Sequence, residues 1–339
     1  MIDEQDPLAR RDEAGLILAY AQAHAQLALL ADRLERSPVR APWSTRIALA
    51  ERHALAWMDN ATMSRDSLRI NGIGRVTSTA FDLTYCRAAI GAPIALAALS
   101  GDAEQLISWL GIADRQGPGA GARVGDREEI VRSVEQWMAA CGRLPPSPPL
   151  LQGCRMALLW RQHSPLVQGD LVASLLIGDR WGPGRWNGSI GGLIALGFRM
   201  TGSPWKLLAG VKLERAWLSA IIAGVRAHLD METRLLGFAM RVRPVLERRK
   251  RTQGLKALLL FAMARPDVTS AQVARQLSMS AAGAIKLLGT AVSEGLLIER
   301  TGQSSFRSYY VPVSDKATSP AGADPARTLF EPDFWLDMA

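Results

Sequence analysis

An all-α body followed by a small α/β module is the fold class that three observations on this 339-residue sequence predict. Helical periodicity dominates residues 1–240, and strand-like alternation is nearly absent before residue 296. Positive charge is gathered in one late stretch. Between Arg241 and Pro312 there are twelve Lys+Arg against four Asp+Glu, a net +8 that equals the charge of the whole sequence, so the remaining residues sum to zero. A neutral body carrying a basic module is the electrostatic footprint of a nucleic-acid binder.

Composition sets the outer limits. With 48% apolar and 21% charged residues the chain can fill real cores and is not of the disordered class. Cys86, Cys141 and Cys154 are too few and too scattered for a disulfide framework, and none forms a C-x-x-C pair. With four histidines in the whole sequence, no metal site is expected, and no cofactor motif is visible. The acidic start Asp3-Glu4-Gln5-Asp6 is unlike a signal peptide, and no run of 18 uninterrupted apolar residues occurs, so a cytoplasmic protein without a membrane span is expected.

The body reads as a series of helices. Residues 13–36 carry Leu16, Tyr20, Leu27, Leu30 and Leu34 at helical spacing, and Ser37-Pro38 breaks the pattern. Residues 44–58 place Ile47, Ala50, Ala54 and Trp57 on one face, ending at Asp59-Asn60. Asn71-Gly72 and Gly74 mark turns in a less regular stretch, after which a helix is expected over about 80–98. Gly117–Gly125 reads as a flexible loop and Pro145–Pro149 as a stiff connection, so loops are placed near 111–127 and 142–150 around a short helix at 128–141. Helices follow at 150–162 and 165–178, then a Gly/Trp-rich break over 178–192. A long helical region over 204–240 has Trp205, Leu208, Trp217, Leu218, Ile221 and Val225 as core. Residues 241–254 form a basic connecting segment.

The module at 255–313 carries the strongest pattern. Leu255–Ala264 is an apolar helix stopped by Arg265-Pro266. Thr269-Ser270-Ala271-Gln272 fits a capping box opening a helix that buries Val273, Ala274 and Leu277. Ser278-Met279-Ser280 is a tight turn, and the next helix, from Ala281 to about Glu294, turns Ala284, Ile285, Leu288, Ala291 and Val292 inward until Gly295 stops it. Leu296–Glu299 and Arg307–Val311 then flank Thr301–Ser305 as a β-hairpin. Helix, turn, helix and hairpin in this order predict a winged helix-turn-helix, in which the second helix enters the major groove and the hairpin reaches the backbone.

The residues expected to touch DNA follow from this arrangement. Arg248, Arg249, Lys250 and Arg251, with Lys256, supply phosphate attraction without sequence reading. Ser280, Ala282, Lys286 and Thr290 lie on the recognition helix, and Arg300, Gln303 and Arg307 on the hairpin. The outward face of the recognition helix, Ala281, Ala282, Gly283, Lys286, Gly289 and Thr290, has Lys286 as its one strong contact. Bidentate base pairings give roughly 1–3 kcal/mol of discrimination each, and this face offers few of them. Site selection is therefore expected to rest on a homodimer, on the wing and on DNA shape.

Three segments carry a family likeness: Leu30-Ala-Asp-Arg-Leu-Glu-Arg-Ser-Pro38 with Trp43 and Arg46 downstream, Ala54-Leu-Ala-Trp-Met-Asp59, and Val273-Ala-Arg-Gln-Leu-Ser-Met-Ser280. Through them the chain resembles a group of uncharacterised alphaproteobacterial proteins of rhizobial type, with a body of unknown function and a C-terminal helix-turn-helix. That resemblance implies a DNA-binding protein of unassigned role, and the module and its charge point to a regulator of transcription or to a replicon-maintenance function. A more distant likeness is to Fic-domain proteins with a C-terminal winged helix. Their motif pairs a catalytic His with Gly-Asn-Gly-Arg, whereas His163–Ser174 supplies a His with no such glycine turn after it, and Leu55 stands where their inhibitory helix has a hydroxyl. No enzymatic activity is therefore expected. The rival readings are a divergent Fic-like nucleotidyl or phosphoryl transferase, which would need His163 in a cleft beside Arg180 or Arg185, and a protein-interaction or dimerisation platform. His24, His53 and His228 read as surface or core-edge residues. The segment 314–339, Pro/Ala-rich and then aromatic and acidic from Leu329 to Leu336, reads as a tail that folds back in cis or docks on a partner. Duplex DNA is the expected partner, and a small-molecule effector is left open.

Overall fold

In the computed structural model, the described residues are 7–64, 66–72, 74–112, 127–186, 188–249, 252–300 and 307–313. They are mostly helical. Two compact units share the chain. The first comprises Met1–Arg33, Ala50–Met63 and Ala80–Ala227, and the second Leu34–Leu49, Ser64–Thr79 and His228–Ala339.

The first unit draws on α1 (Pro7–Arg36) up to Arg33 and on the second half of α2 (Arg40–Met58). It continues through α3 (Leu96–Gly101), α4 (Ala103–Leu110), α5 (Arg127–Gly142), α6 (Pro149–His163), α7 (Asp170–Trp181) and α8 (Leu193–Thr201) into the start of α9 (Gly210–Glu247). Large aromatic side chains fill its core. Trp137 packs edge-on against Trp160 at 5.0 Å, and Phe198 stacks on Trp205 at 4.6 Å beside Trp217. Helices α6 and α7 meet backbone to backbone, since a Cβ on Gly153 would lie 2.4 Å from the Gly178 carbonyl oxygen. Only glycine allows that approach.

Helix α1 buries Ala23, Leu27 and Leu30 completely, the i, i+4, i+7 stripe of a core helix, and leaves Ile17, Leu18 and Leu29 exposed. Its stretch Glu13–Arg36 is nevertheless long and apolar enough to cross a bilayer by length and composition, with a mean hydropathy of 1.3 in a window that is 17% buried. It is the one described helix with that property, although Gln22, His24 and Gln26 interrupt its apolar residues.

Several elements differ from the sequence reading. Helix α2 starts at Arg40, because Pro42 falls in its first turn, where a missing N–H costs nothing. Trp57, expected on the inward face, is 45% exposed, with the Arg199 guanidinium 5.6 Å from its ring centroid. No helix spans 80–98. There, Asp82 Oδ1 accepts the Thr84 N–H at 3.0 Å, Asp59 Oδ2 accepts the Tyr85 N–H at 2.6 Å, and Cys86 is left-handed at φ 53°. These side-chain bonds offer the backbone an alternative to a helix. Helix α7 begins at Asp170 rather than 165, because the Asp170 carboxylate accepts the Leu166 N–H and the Ser164 hydroxyl and closes the preceding loop on itself. His53 and His228, read as surface or core-edge, are both buried, and Leu208 is only half-buried. Glycine loop 117–125 lies outside the described residues.

In the second unit, β1 (Leu68–Asn71) and β2 (Arg75–Ser78) form an antiparallel hairpin with Ile70 opposite Val76. Asn71-Gly72 is a hairpin-turn signal, but strands this short leave too little alternation to read. Helix α9 runs on through Pro244 to Glu247, so Arg241 and Arg243 are helical. Then come α10 (Gln253–Met263), β3 (Val268–Thr269), α11 (Ser270–Gln276), α12 (Ala281–Ser293), β4 (Ile298–Glu299) and β5 (Ser308–Tyr310). The last three strands make an antiparallel sheet in the order β3-β5-β4.

Arg46 organises this unit. It is 3% exposed, its Nε donates to the Met263 carbonyl at 2.9 Å, and its Nη2 donates to the Arg265 carbonyl. These carbonyls lie at and just past the C-terminal end of α10, where backbone acceptors lack helical partners and the helix dipole is negative. Arg265 is itself buried. It stacks on the Phe261 ring and donates from Nη2 to the Ile70 and Gly72 carbonyls at 3.1 and 2.7 Å. Burial, and then the charge of Arg265, pushes Arg46 down to about 9 against the opposing pull of Asp267, and burial pushes Arg265 down to about 10. Both stay charged at neutral pH.

Candidate nucleic-acid interface

The helix pair α11–α12 is set by local chemistry. Thr269 Oγ1 accepts the Gln272 N–H at 3.3 Å while Gln272 Oε1 accepts the Thr269 N–H at 2.9 Å, a complete capping box. After Leu277 the chain reverses through Ser278, left-handed at φ 51°, and the Met279 N–H returns to the Ala274 carbonyl. Ser280 then caps α12 by accepting the Gly283 N–H at 3.1 Å. Its Oγ is engaged by the helix, yet its own O–H remains a donor facing solvent.

Helix α12 buries Ala284, Leu288 and Ala291 completely. Ile285, expected inward, is instead 57% exposed. At 100° per residue it stands between Ala281, Ala282, Lys286 and Gly289, which are exposed too, so the outward face is broader and more apolar than the spacing suggested. Thr290 is half-buried and its hydroxyl donates to the Lys286 carbonyl at 3.0 Å, which directs it to its own helix. Gly283 is half-buried as well.

The cations around this pair fall into two groups. Arg249 is ion-paired with Glu294, Arg307 with Glu299 at 3.4 Å, and Arg243 with Glu247 at 2.8 Å. Three of the four acids between 241 and 312 are thereby matched to arginines. Arg265 serves the interior. Pairing leaves the summed charge and its long-range attraction intact but reduces the donors available for close contact. Lys256 on α10 and Lys286 on α12 are exposed and have no partner among the described residues. Arg248 is exposed and gives only its Nε to the Pro244 carbonyl, at 3.0 Å. Arg300 is half-buried. Ala282 is exposed, whereas Lys250, Arg251 and Gln303 lie outside the described residues, as does the hairpin tip 301–306.

The first unit has a polar cluster of its own. Glu51 Oε2 accepts the Ile190 and Gly192 N–H groups, each at 2.8 Å, and so caps the start of α8. Ser189 Oγ lies 3.0 Å from Glu51 Oε2 and 2.8 Å from Asp179 Oδ2. One hydroxyl proton cannot serve two carboxylates. Burial, together with the Glu51 charge, raises Asp179 well above its ordinary value, which favours a proton on Asp179 as the second donor. Next to this cluster lies a cavity of about 210 Å³ lined by Trp109, Asp179, Arg180 and Ser189. His163 does not line it. It is half-buried at the end of α6, with no partner among the described residues. Arg180 donates to the Ile94 and Gly184 carbonyls, and the Arg185 guanidinium lies 5.3 Å from the Trp181 ring centroid. The convergence on His163 that a Fic-like centre requires is thus not among these contacts. Among the described residues no group of three or more His, Cys, Asp or Glu is arranged to hold a metal ion.

No family model matches this chain, and no curated protein matches it. Sequence reasoning missed Arg46 and Arg265, because an arginine on a helix or in a turn ordinarily reads as solvated, and only the long-range carbonyl partners reveal otherwise.

Proposed function

We propose that the protein binds double-stranded DNA through residues 255–313, folded as a winged helix-turn-helix, and acts in transcription regulation. The observation that carries this reading is the α11–α12 pair. Both helices are capped at their starts and joined by a tight turn, β3 before them and β4 and β5 after them form a three-stranded antiparallel sheet, and Lys286 stands exposed on the outward face. Helix α12 is the recognition helix, α11 braces it, and β4–β5 is the wing. Lys256 and Arg248 hold phosphates.

The outward face sets the kind of recognition. Ala282 and Ile285 offer apolar contact to thymine methyl groups, and Lys286 alone offers strong hydrogen bonding. Direct readout by one copy is weak, and two copies on a symmetric site raise selectivity by doubling the contacts. Salt-titrated fluorescence polarisation with duplex DNA tests the proposal. Changing Arg248, Lys256 and Lys286 together to Ala is expected to reduce the slope of log K against log salt by about 2.7, from about 0.9 per lost phosphate contact. Absence of binding at low salt, or a slope untouched by the triple change, overturns it.

A further inference from the structure

Between the last turns of α9 and the body of α10 lies an apolar groove of about 430 Å³. Its floor is Phe238, Val242 and Leu246 of α9, four residues apart and therefore on one helix face, with Leu259, Leu260 and Met263 of α10 opposite. Arg243, Glu247 and Lys256 stand at its rim. This surface carries no part of the proposed base reading. No described residue covers it.

We propose that the segment Leu329–Leu336 of the same chain occupies this groove, burying Phe330, Phe334 and Trp335 and setting Glu331 and Asp333 beside Lys256. Three observations converge on that occupant. The first is where the chain goes. Pro312, next to the last described residue, Val313, is held at α9 by the Arg241 Nη2 donor at 2.8 Å from its carbonyl oxygen. Arg241 is three residues from Phe238, so the backbone passes within one helical turn of the groove's floor. The second is reach. Residues 314–328, fully extended, span at most about 50 Å, and a short tether gives an effective concentration in the millimolar range. A contact too weak to hold a free peptide is therefore well occupied within the chain.

The third is composition. From Thr328 to Ala339 the sequence has three acids, Glu331, Asp333 and Asp337, and no Lys or Arg, among four large apolar side chains in the span 330–336. The groove offers the complement, an apolar floor with Lys256, which has no partner among the described residues, at its edge and the exposed Arg248 in the adjoining connection. The consequence rests on the DNA-binding reading. Docked carboxylates next to Lys256 and Arg248 compete with DNA phosphates, so the segment restrains binding in cis.

The test uses the full chain with a benzophenone amino acid in place of Phe334. Irradiation is expected to give an intramolecular cross-link to peptides within 238–263, lost when Leu246 and Leu260, both half-buried, are changed to Glu in a chain whose circular dichroism is unaltered. A cross-link to the first unit, to a second copy, or to nothing overturns the docking. Changing Phe330, Phe334 and Trp335 together to Ala in the full chain is expected to tighten duplex DNA binding about fivefold at low salt, and an unchanged affinity overturns the restraint. The two readings fail separately. A groove cross-link in a chain that binds no DNA retires the DNA reading alone, and DNA binding without the cross-link retires the docking alone.

Discussion

Helix α2 confronts the same problem in both units and meets it with opposite charges. Arg46, in the second unit, brings a cation to the carbonyl end of α10, and Glu51, in the first, brings an anion to the amide end of α8. Each choice matches the sign of the helix dipole. The difference lies in how each unit lives with buried charge. A guanidinium pushed down to about 9 is still charged at neutral pH, and its planar fork serves two carbonyls at once. Asp179, pressed by burial and by the Glu51 charge, is raised well above its ordinary value, which favours its protonated form. Arg46 and Arg265 therefore hold the second unit with charges that persist at neutral pH, whereas the first contains a carboxyl group whose protonated form is favoured by folding.

The largest effect expected is from Arg46→Leu. It leaves the Met263 and Arg265 carbonyls without their donor, and breaking a buried charged network costs about 3–5 kcal/mol. Urea unfolding with hydrogen exchange on α10 measures it, and Arg46→Lys should restore only a fraction because the fork is lost. A cost under about 1 kcal/mol would mean that Arg46 does not hold this unit together.

Next comes His53, which burial and the Arg199 charge push down to about 4 while Asp82 pulls the other way. Its folded value lies below the unfolded 6.5, so stability is fully present above pH 6.5 and is lost as pH falls toward 4. The shift corresponds to about 3 kcal/mol. Wild type and His53→Gln compared across that window should differ in slope, and parallel curves would remove His53 from the account.

Glu51→Gln is expected to cost about 2 kcal/mol, since a neutral acceptor replaces a charged one at two buried N–H groups. It also relieves Asp179. The Asp179 value is raised, so wild-type stability should decline as pH rises from about 4 toward the folded value, and Asp179→Asn should flatten that decline. An unchanged pH slope in Asp179→Asn would place the shared proton elsewhere. The smallest effect on stability is from Lys286→Ala, within about 0.5 kcal/mol for an exposed residue, and it should lower the DNA salt slope by about 0.9. A larger loss of stability would show that Lys286 belongs to the fold.

Much of the α11–α12 pair was legible. The box Thr269/Gln272, the turn at Ser278–Ser280 and the stop at Gly295 are short-range, so the residues that make each bond sit within a few positions of one another. Ile285 was not legible, since spacing alone cannot tell which edge of a wide apolar stripe the fold covers. Nor was the sorting of cations. Glu294 lies 45 residues from Arg249, and no local pattern announces their pairing. The 80–98 stretch failed for a related reason. Asp59 caps Tyr85 across 26 residues, and that bond competes with a helix that the local sequence would otherwise support.

The sequence by itself determined the helical class, the capped α11–α12 pair and the surplus of positive charge, all properties of neighbouring residues or of simple sums. Tertiary structure decided which charges are free. It drew Leu34–Leu49 and Ser64–Thr79 into one unit with the basic module, buried Arg46 and Arg265 on backbone carbonyls, and left Lys256 and Lys286 facing solvent. The physical reason is that burial depends on partners distant in the chain. A charge is costly to bury without them and is held firmly once they are supplied.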